Sequence, residues 1–247
     1  EAGKLAAEVL EMISPLVKPG ISTGELDRIC HDFIVNEQKA IPANIGYRGF
    51  QHTICSSVNQ VVCHGIPDFS RVLKDGDILN IDVTAIIDNY YGDTSRMYIA
   101  GNANIKAQNL INATYESLMN AIKILKPGLK LGDIGFAIQS YVEQKGFSVV
   151  RDFCGHGISN KFHEPPNILH YGKRNSGIEL YPGMTFTIEP MINAGKYDVK
   201  VLNDGWTAVT KDKSLSAQFE HTLSVTSSGC EVFTLSPKNL NYPPYNL

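Results

Sequence analysis

GDILNIDVTAIIDNYYGDTSR, residues 76–96, reads as two strands folded back on each other around a tight turn at Asp88-Asn89. With 88 and 89 at the turn, opposed residues sum to 177, so Asp82 faces Ser95 and Thr84 faces Asp93. Opposed residues share a sheet face and alternate residues return to it, which sets Asp82 and Asp93 diagonally on one face. Two close carboxylates repel and resist ionisation, and a divalent cation would resolve that conflict. Simple solvation of two hairpin aspartates is the alternative that this stretch leaves open.

Outward from the hairpin, the flanking segments repeat. Upstream, residues 3–17 carry apolar positions at helical spacing and stop at Lys18-Pro19-Gly20. Ser22-Thr23-Gly24-Glu25 matches a capping box, with Ser22 as cap and Glu25 reaching back, and opens a helix to about 38. An irregular stretch (41–52), a strand-like run (53–62) and His64-Gly65-Ile66-Pro67 lead into the hairpin. Downstream, a helix over 105–125 ends in Lys126-Pro127-Gly128 and a second covers 131–145. KPGISTGELDRI (18–29) aligns with KPGLKLGDIGFA (126–137), and LKDGDILNID (73–82) with LYPGMTFTIE (180–189), both without a gap. The second alignment sets Glu189 on Asp82.

That common order predicts an α+β chain of two homologous halves, about 1–104 and 105–235, related by a pseudo-two-fold within one catalytic domain of 1–247. A generic α+β domain with chance similarity is the competing reading. A second alternating run, 215–225, contains Glu220-His221; a long excursion with Trp206 separates it from Glu189, and residues 236–247 are expected to form an irregular surface strap.

Hydrophobic residues make up 43% of the 247 and charged residues 19%, an ordinary globular balance. The net charge of −3 predicts no direct nucleic-acid site and no anionic membrane as partner. No apolar run approaches the roughly 20 residues that span a bilayer. Five cysteines with no CxxC spacing argue for a reducing, cytoplasmic setting.

The two-fold arrangement gathers Asp82 and Asp93 from one half, Glu189 and Glu220 from the other, and a histidine. Four carboxylates and one imidazole suit two Mn, Fe, Co or Zn ions better than a structural zinc, which prefers Cys and His. VCHGIPD (62–68), NIDV (80–83), GDTSRM (92–97), FCGHGISNKFHEPP (153–166), FTIEPM (186–191) and SAQFEHT (216–222) occur in that order. With these motifs the chain resembles the type I, bacterial methionine aminopeptidases across essentially its whole length. The resemblance implies the creatinase-like pita-bread fold: a curved antiparallel sheet with helix pairs on its outer face and the metal site at its centre.

It further implies that Asp82, Asp93, His156, Glu189 and Glu220 hold two divalent ions, with Asp93 and Glu220 bridging and Asp82 chelating one. A hydroxide between the ions would attack the first peptide carbonyl of an N-terminal Met peptide whose second residue is small. His64 and His163 would contact substrate, His163 steadying the carbonyl oxygen, and Glu189 would shuttle the proton. By the same resemblance Tyr47, Phe50, Cys55, Phe162 and Trp206 line the Met pocket. Asn44 and Phe50 depart from residues common in relatives. Asn59, Val61 and Ser216 match a monovalent-cation site. The implied protein is a monomer acting on nascent chains, with the ribosome as a candidate partner. His221 reads as a supporting residue, and His31, His52 and His170 as surface or loop histidines. An X-Pro aminopeptidase or prolidase and a non-catalytic pita-bread binding module remain the alternatives.

Overall fold

The computed structural model describes residues 1–245, so the last two positions of the expected strap lie outside the described residues. Strands Ile78–Ile87 and Tyr90–Ile99 form the expected hairpin, pairing Asp82 with Ser95 and Thr84 with Asp93. Asp88 and Asn89 take φ of 50° and 64°, the left-handed pair that a tight primed turn needs.

Four helices cover the sheets. Helix α1 (Ala2–Ile13) and α2 (Thr23–Asp32) pack Leu5, Val9, Leu10, Ile13 and Leu26 against Leu79, Ile81, Val83 and Tyr98 of the hairpin. Helix α3 (Ile105–Ile124) and α4 (Leu131–Gln144) pack Leu110, Leu118, Ile134 and Ile138 against Phe186, Ile188, Ile192, Phe219 and Leu223. Each fully buried Leu or Ile contributes roughly 1.5–3 kcal/mol, so these two clusters supply much of the stability.

Every strand pairing is antiparallel. The hairpin shares a four-stranded sheet with Ile41–Pro42 and Ile54–Val58. A five-stranded sheet joins Cys230–Val232, His221–Val225, Thr185–Ile188, Gly155–Gly157 and Glu164–Ile168. The two meet where Ser95 bridges Glu220.

Local details depart from expectation for identifiable reasons. Ser22 Oγ does accept the Glu25 amide at 3.1 Å, but Glu25 turns its carboxylate to Arg28 instead of reaching back. The 53–62 run splits into Ile54–Val58 and Val61–Cys63 because Asn59, with φ of 56°, turns the chain. The excursion that contains Trp206 holds two strands: Val199–Val201 and Ala208–Thr210 pair, and the latter also pairs with Val61–Cys63. The run 215–225 divides at Phe219-Glu220, since Ser216–Gln218 pairs with Met191–Asn193 and His221–Val225 with Thr185–Ile188. Among its described residues the strap has no regular element, yet it is fastened: Arg96 Nη1 donates to Leu240 O at 2.8 Å and Tyr245 hydroxyl to Met97 O at 2.6 Å.

Candidate metal centre

The five expected donors come from three kinds of position. Asp82 and Asp93 come from the middle of the hairpin strands, His156 from the short strand Gly155–Gly157, and Glu189 and Glu220 from positions just beyond strand ends. A Cβ on Gly155 would lie 2.3 Å from Thr187 O, and one on Gly157 2.4 Å from Pro165 O. Only glycines let the His156 strand lie this close to its neighbours. The two sheets are stitched at the donors themselves. Glu220 N donates to Ser95 O at 3.1 Å, Thr94 Oγ1 to Glu220 O at 2.7 Å, and Thr222 Oγ1 to Asp93 O at 2.7 Å.

Ligand atoms of Asp93, His156 and Glu220 all lie within 4.8 Å of one another, and all three residues are buried. His156 Nε2 is 3.6 Å from Asp93 Oδ2 and 3.5 Å from Glu189 Oε1. Its Nδ1 sits 3.1 Å from Gly157 O, so the proton belongs there and Nε2 is presented as the free donor. Thr84 hydroxyl donates to Asp93 Oδ1 at 2.7 Å, and Thr187 hydroxyl to Glu189 Oε1 at 2.8 Å.

The electrostatics are those of a cluster short of positive charge. Burial, then repulsion from Asp93 and Glu189, pushes Asp82 well above the usual carboxylate range. Glu220 is raised likewise by burial and by Asp93, Glu189 and Asp82. Glu189 rises to about 7, chiefly through burial, with His156 partly offsetting it. Burial of the His156 ring would lower its pKa, but the carboxylates of Asp93 and Glu189 outweigh that and lift it to about 9. Glu220 Oε1 is buried with no partner among the described residues, an expensive arrangement unless something cationic meets it. The hard oxygen-rich set and this orphaned oxygen together fit divalent metal.

The cluster forms one end of a cavity of about 530 Å³, within the range of small-ligand sites. Tyr47, Phe50, Cys55, Phe162, Trp206, His64 and His163 all line it. Phe50 meets Trp206 edge-on at 5.1 Å, while Phe162 lies 4.7 Å from Tyr47 and 4.2 Å from His163. His163 is pushed down to about 4 by desolvation and by the charge on His156; burial lowers His64 too, so both rings stay neutral at pH 7. Asn59 and Ser216 are also brought together, Ser216 N donating to Asn59 O at 2.9 Å, with Val61 opening the next strand.

Residues 1–227 match the family model for metallopeptidase family M24. The chain belongs to that family. It is 60% identical over 234 residues to methionine aminopeptidase of Escherichia coli K12, covering 95% of this chain and 89% of that one. The crystal structure of methionine aminopeptidase from Rickettsia prowazekii superposes with a TM-score of 0.93 at 56% identity, covering 95% of this chain and 94% of that one. An Xaa-Pro dipeptidase from Bacillus anthracis shares the fold at a TM-score of 0.76 and 24% identity, and the match spans 59% of its chain. Family membership makes this a metal-dependent peptidase with the pita-bread architecture.

Several residues of this M24 site escaped the sequence reading. Gln218 Nε2 reaches Glu189 O and Oε2, each at 3.3 Å. Cys63, Phe153 and Met191 line the cavity beside the expected aromatics. His170 does lie in a loop, just past the strand Glu164–Ile168, but it is not a surface histidine: it is fully buried, and its Nε2 accepts the Glu189 amide at 3.1 Å. Nothing local signalled this, since the adjoining Leu169 is itself exposed. His221 is buried as a supporting residue, its Nδ1 2.8 Å from Thr234 Oγ1.

Proposed function

We propose that the chain is a methionine aminopeptidase, removing N-terminal methionine from peptides and nascent proteins whose second residue is small. What supports this is a single cavity lined both by Asp82, Asp93, His156, Glu189 and Glu220 and by Tyr47, Phe50, Phe162 and Trp206. An apolar, aromatic pocket suits an unbranched, polarizable thioether.

In this proposal Asp82, Asp93, His156, Glu189 and Glu220 hold two divalent ions of the Mn, Fe, Co or Zn class. When bound, these supply Lewis-acid activation of water and of the scissile carbonyl near neutral pH. Glu189, at the edge of the cluster, takes the proton of the attacking water and delivers it to the leaving amine. His163, neutral and stacked 5.1 Å from Tyr47, donates to the oxygen on which charge develops. His64, held 5.3 Å from Phe153 and 6.1 Å from Trp206, contacts the substrate backbone. The proposal retains Cys55 in the Met pocket and a monovalent cation at Asn59, Val61 and Ser216.

All these residues come from one chain, which supports a monomer as the working unit. The chain is read as one catalytic domain with two homologous halves and a strap, supported by the two helix pairs and their two core clusters. Five unpaired cysteines support a reducing cytoplasmic location, where nascent chains leave the ribosome. Among the described residues, no helix is long and apolar enough to cross a membrane.

The deciding assay uses metal-depleted protein on Met-Ala-Ser and Ala-Pro peptides, with Mn, Fe, Co and Zn restored singly. Metal-restored release of Met is expected. Failure to restore it, or preference for the Pro peptide, overturns the proposal.

A further inference from the structure

Glu189 occupies an exposed point in the hydrogen-bond ladder. The strand Thr185–Ile188 makes its last register pair between Ile188 and His221, so the Glu189 amide lies just past the ladder. Pro190 follows and has no N–H of its own. A buried amide left without an acceptor costs about 1–3 kcal/mol and would let the strand end drift. His170 supplies the acceptor: its Nε2 lies 3.1 Å from Glu189 N, which assigns the ring proton to Nδ1.

That contact comes at a cost which packing alone does not justify. The imidazole is fully buried, and Nδ1 has no partner among the described residues. A Leu would fill the site without an orphaned donor. The segment carrying His170 is also seated firmly on α4. Gly172 N donates to Gln139 Oε1 at 3.2 Å, and a Cβ on Gly135 would lie 2.3 Å from Tyr171 O. A rigid helix therefore fixes the ring, and the ring fixes the amide of Glu189. The other three hydrogen bonds to Glu189 come from Thr187 and Gln218, at Oε1, Oε2 and the carbonyl oxygen, with His156 Nε2 3.5 Å from Oε1.

We propose that His170 is a positioning residue for Glu189, holding its backbone so that the carboxylate stays turned into the metal cavity. It touches neither substrate nor reacting atoms. The inference rests on Glu189 acting as ligand and proton carrier, and it adds the buried histidine that keeps this group in place.

Two variants separate positioning from packing. His170→Leu removes the acceptor and keeps an apolar core; His170→Gln keeps an acceptor at similar reach. Titration calorimetry of Mn(II) into metal-depleted protein should show affinity falling about 10–100-fold in His170→Leu, with parental affinity in His170→Gln. On Met-Ala-Ser, kcat should follow the same order with KM unchanged. A folded His170→Leu with parental affinity and kcat overturns the proposal, as does a folded His170→Gln that loses as much as Leu. If Leu prevents folding, long-range proton–nitrogen spectra of the parent decide: Nδ1 protonated and Nε2 accepting is expected, and an Nε2-protonated ring overturns it. A parent that takes up no metal or releases no Met would tell against the function instead, and leaves that spectrum as the independent test.

Discussion

Stripping divalent metal should make the protein lose stability as pH rises from about 7 to about 8.5, and restoring metal should abolish that loss. Without metal, His156 is held near 9 by Asp93 and Glu189, against 6.5 for a free imidazole. A basic group raised on folding contributes stability that is complete below its unfolded pKa and disappears as pH climbs through the folded one. From pH 7 to 8.5 the folded chain therefore carries about one proton that the unfolded chain has released. At about 1.36 kcal/mol for each proton and pH unit, this amounts to about 2 kcal/mol. Asp82 and Glu220, raised by burial and mutual repulsion, and Glu189 at about 7 act with the same sign. For a chain of this size 2 kcal/mol corresponds to a fall in Tm of about 4–8 °C. Below about pH 6.5 the slope should flatten, because buried histidines that charge on unfolding oppose the raised carboxylates. Burial holds His170 and His221 near 3 and, with the His156 charge, His163 near 4; these groups stay neutral when folded and charge on unfolding. Metal binding displaces the cluster's protons, so the loaded protein should show a flat curve over the upper window. Differential scanning calorimetry of chelator-treated and Mn-loaded protein across the range measures both. Parallel curves, or a metal-free Tm that rises above pH 7, would refute the electrostatic account of the site.

Three substitutions probe other parts of the same centre. Glu189→Gln keeps the shape and the hydrogen bonds available to Thr187 but removes the proton carrier, and kcat should fall about 100- to 10,000-fold in a folded protein; parental turnover would exclude Glu189 from proton transfer. Gly155→Ala forces a methyl to within 2.3 Å of Thr187 O, and the resulting overpacking should cost about 1–3 kcal/mol in urea melts and weaken metal binding. An alanine variant equal to the parent in both would show that the His156 strand is not tightly seated. Phe162→Ala removes a ring packed on Tyr47, Tyr91 and His163. It should lose about 3 kcal/mol of stability and a larger share of kcat/KM for Met peptides than for free-energy-matched core variants; unchanged kcat/KM would take Phe162 out of the substrate wall.

How far this centre could be read in advance depends on the range of the interaction that defines each part. The hairpin was legible because its determinants are local: an Asp-Asn turn sets the register, and two-residue periodicity then places Asp82 and Asp93 on one face. The internal repeat extended that logic to Glu189 without any long-range contact being known. Strand ends were harder. Asn59 breaks one run through a left-handed turn that an Asn tolerates but does not demand, and Glu220 breaks another because its two flanks pair with different strands. Nothing local marks either break. The supporting groups were hidden for a stronger reason. His170 acts 19 positions from Glu189, and Gln218 29 positions from it. Their roles exist only because the sheet stops at Ile188 and leaves an amide and a carboxylate to be held. A histidine between Leu169 and Tyr171 reads as a loop residue until the unpaired amide opposite it is known. Candidate ligands can thus be found from chemistry, periodicity and family resemblance, whereas the groups that aim them are defined by what the fold leaves unsatisfied, and testing His170 is a direct test of that distinction.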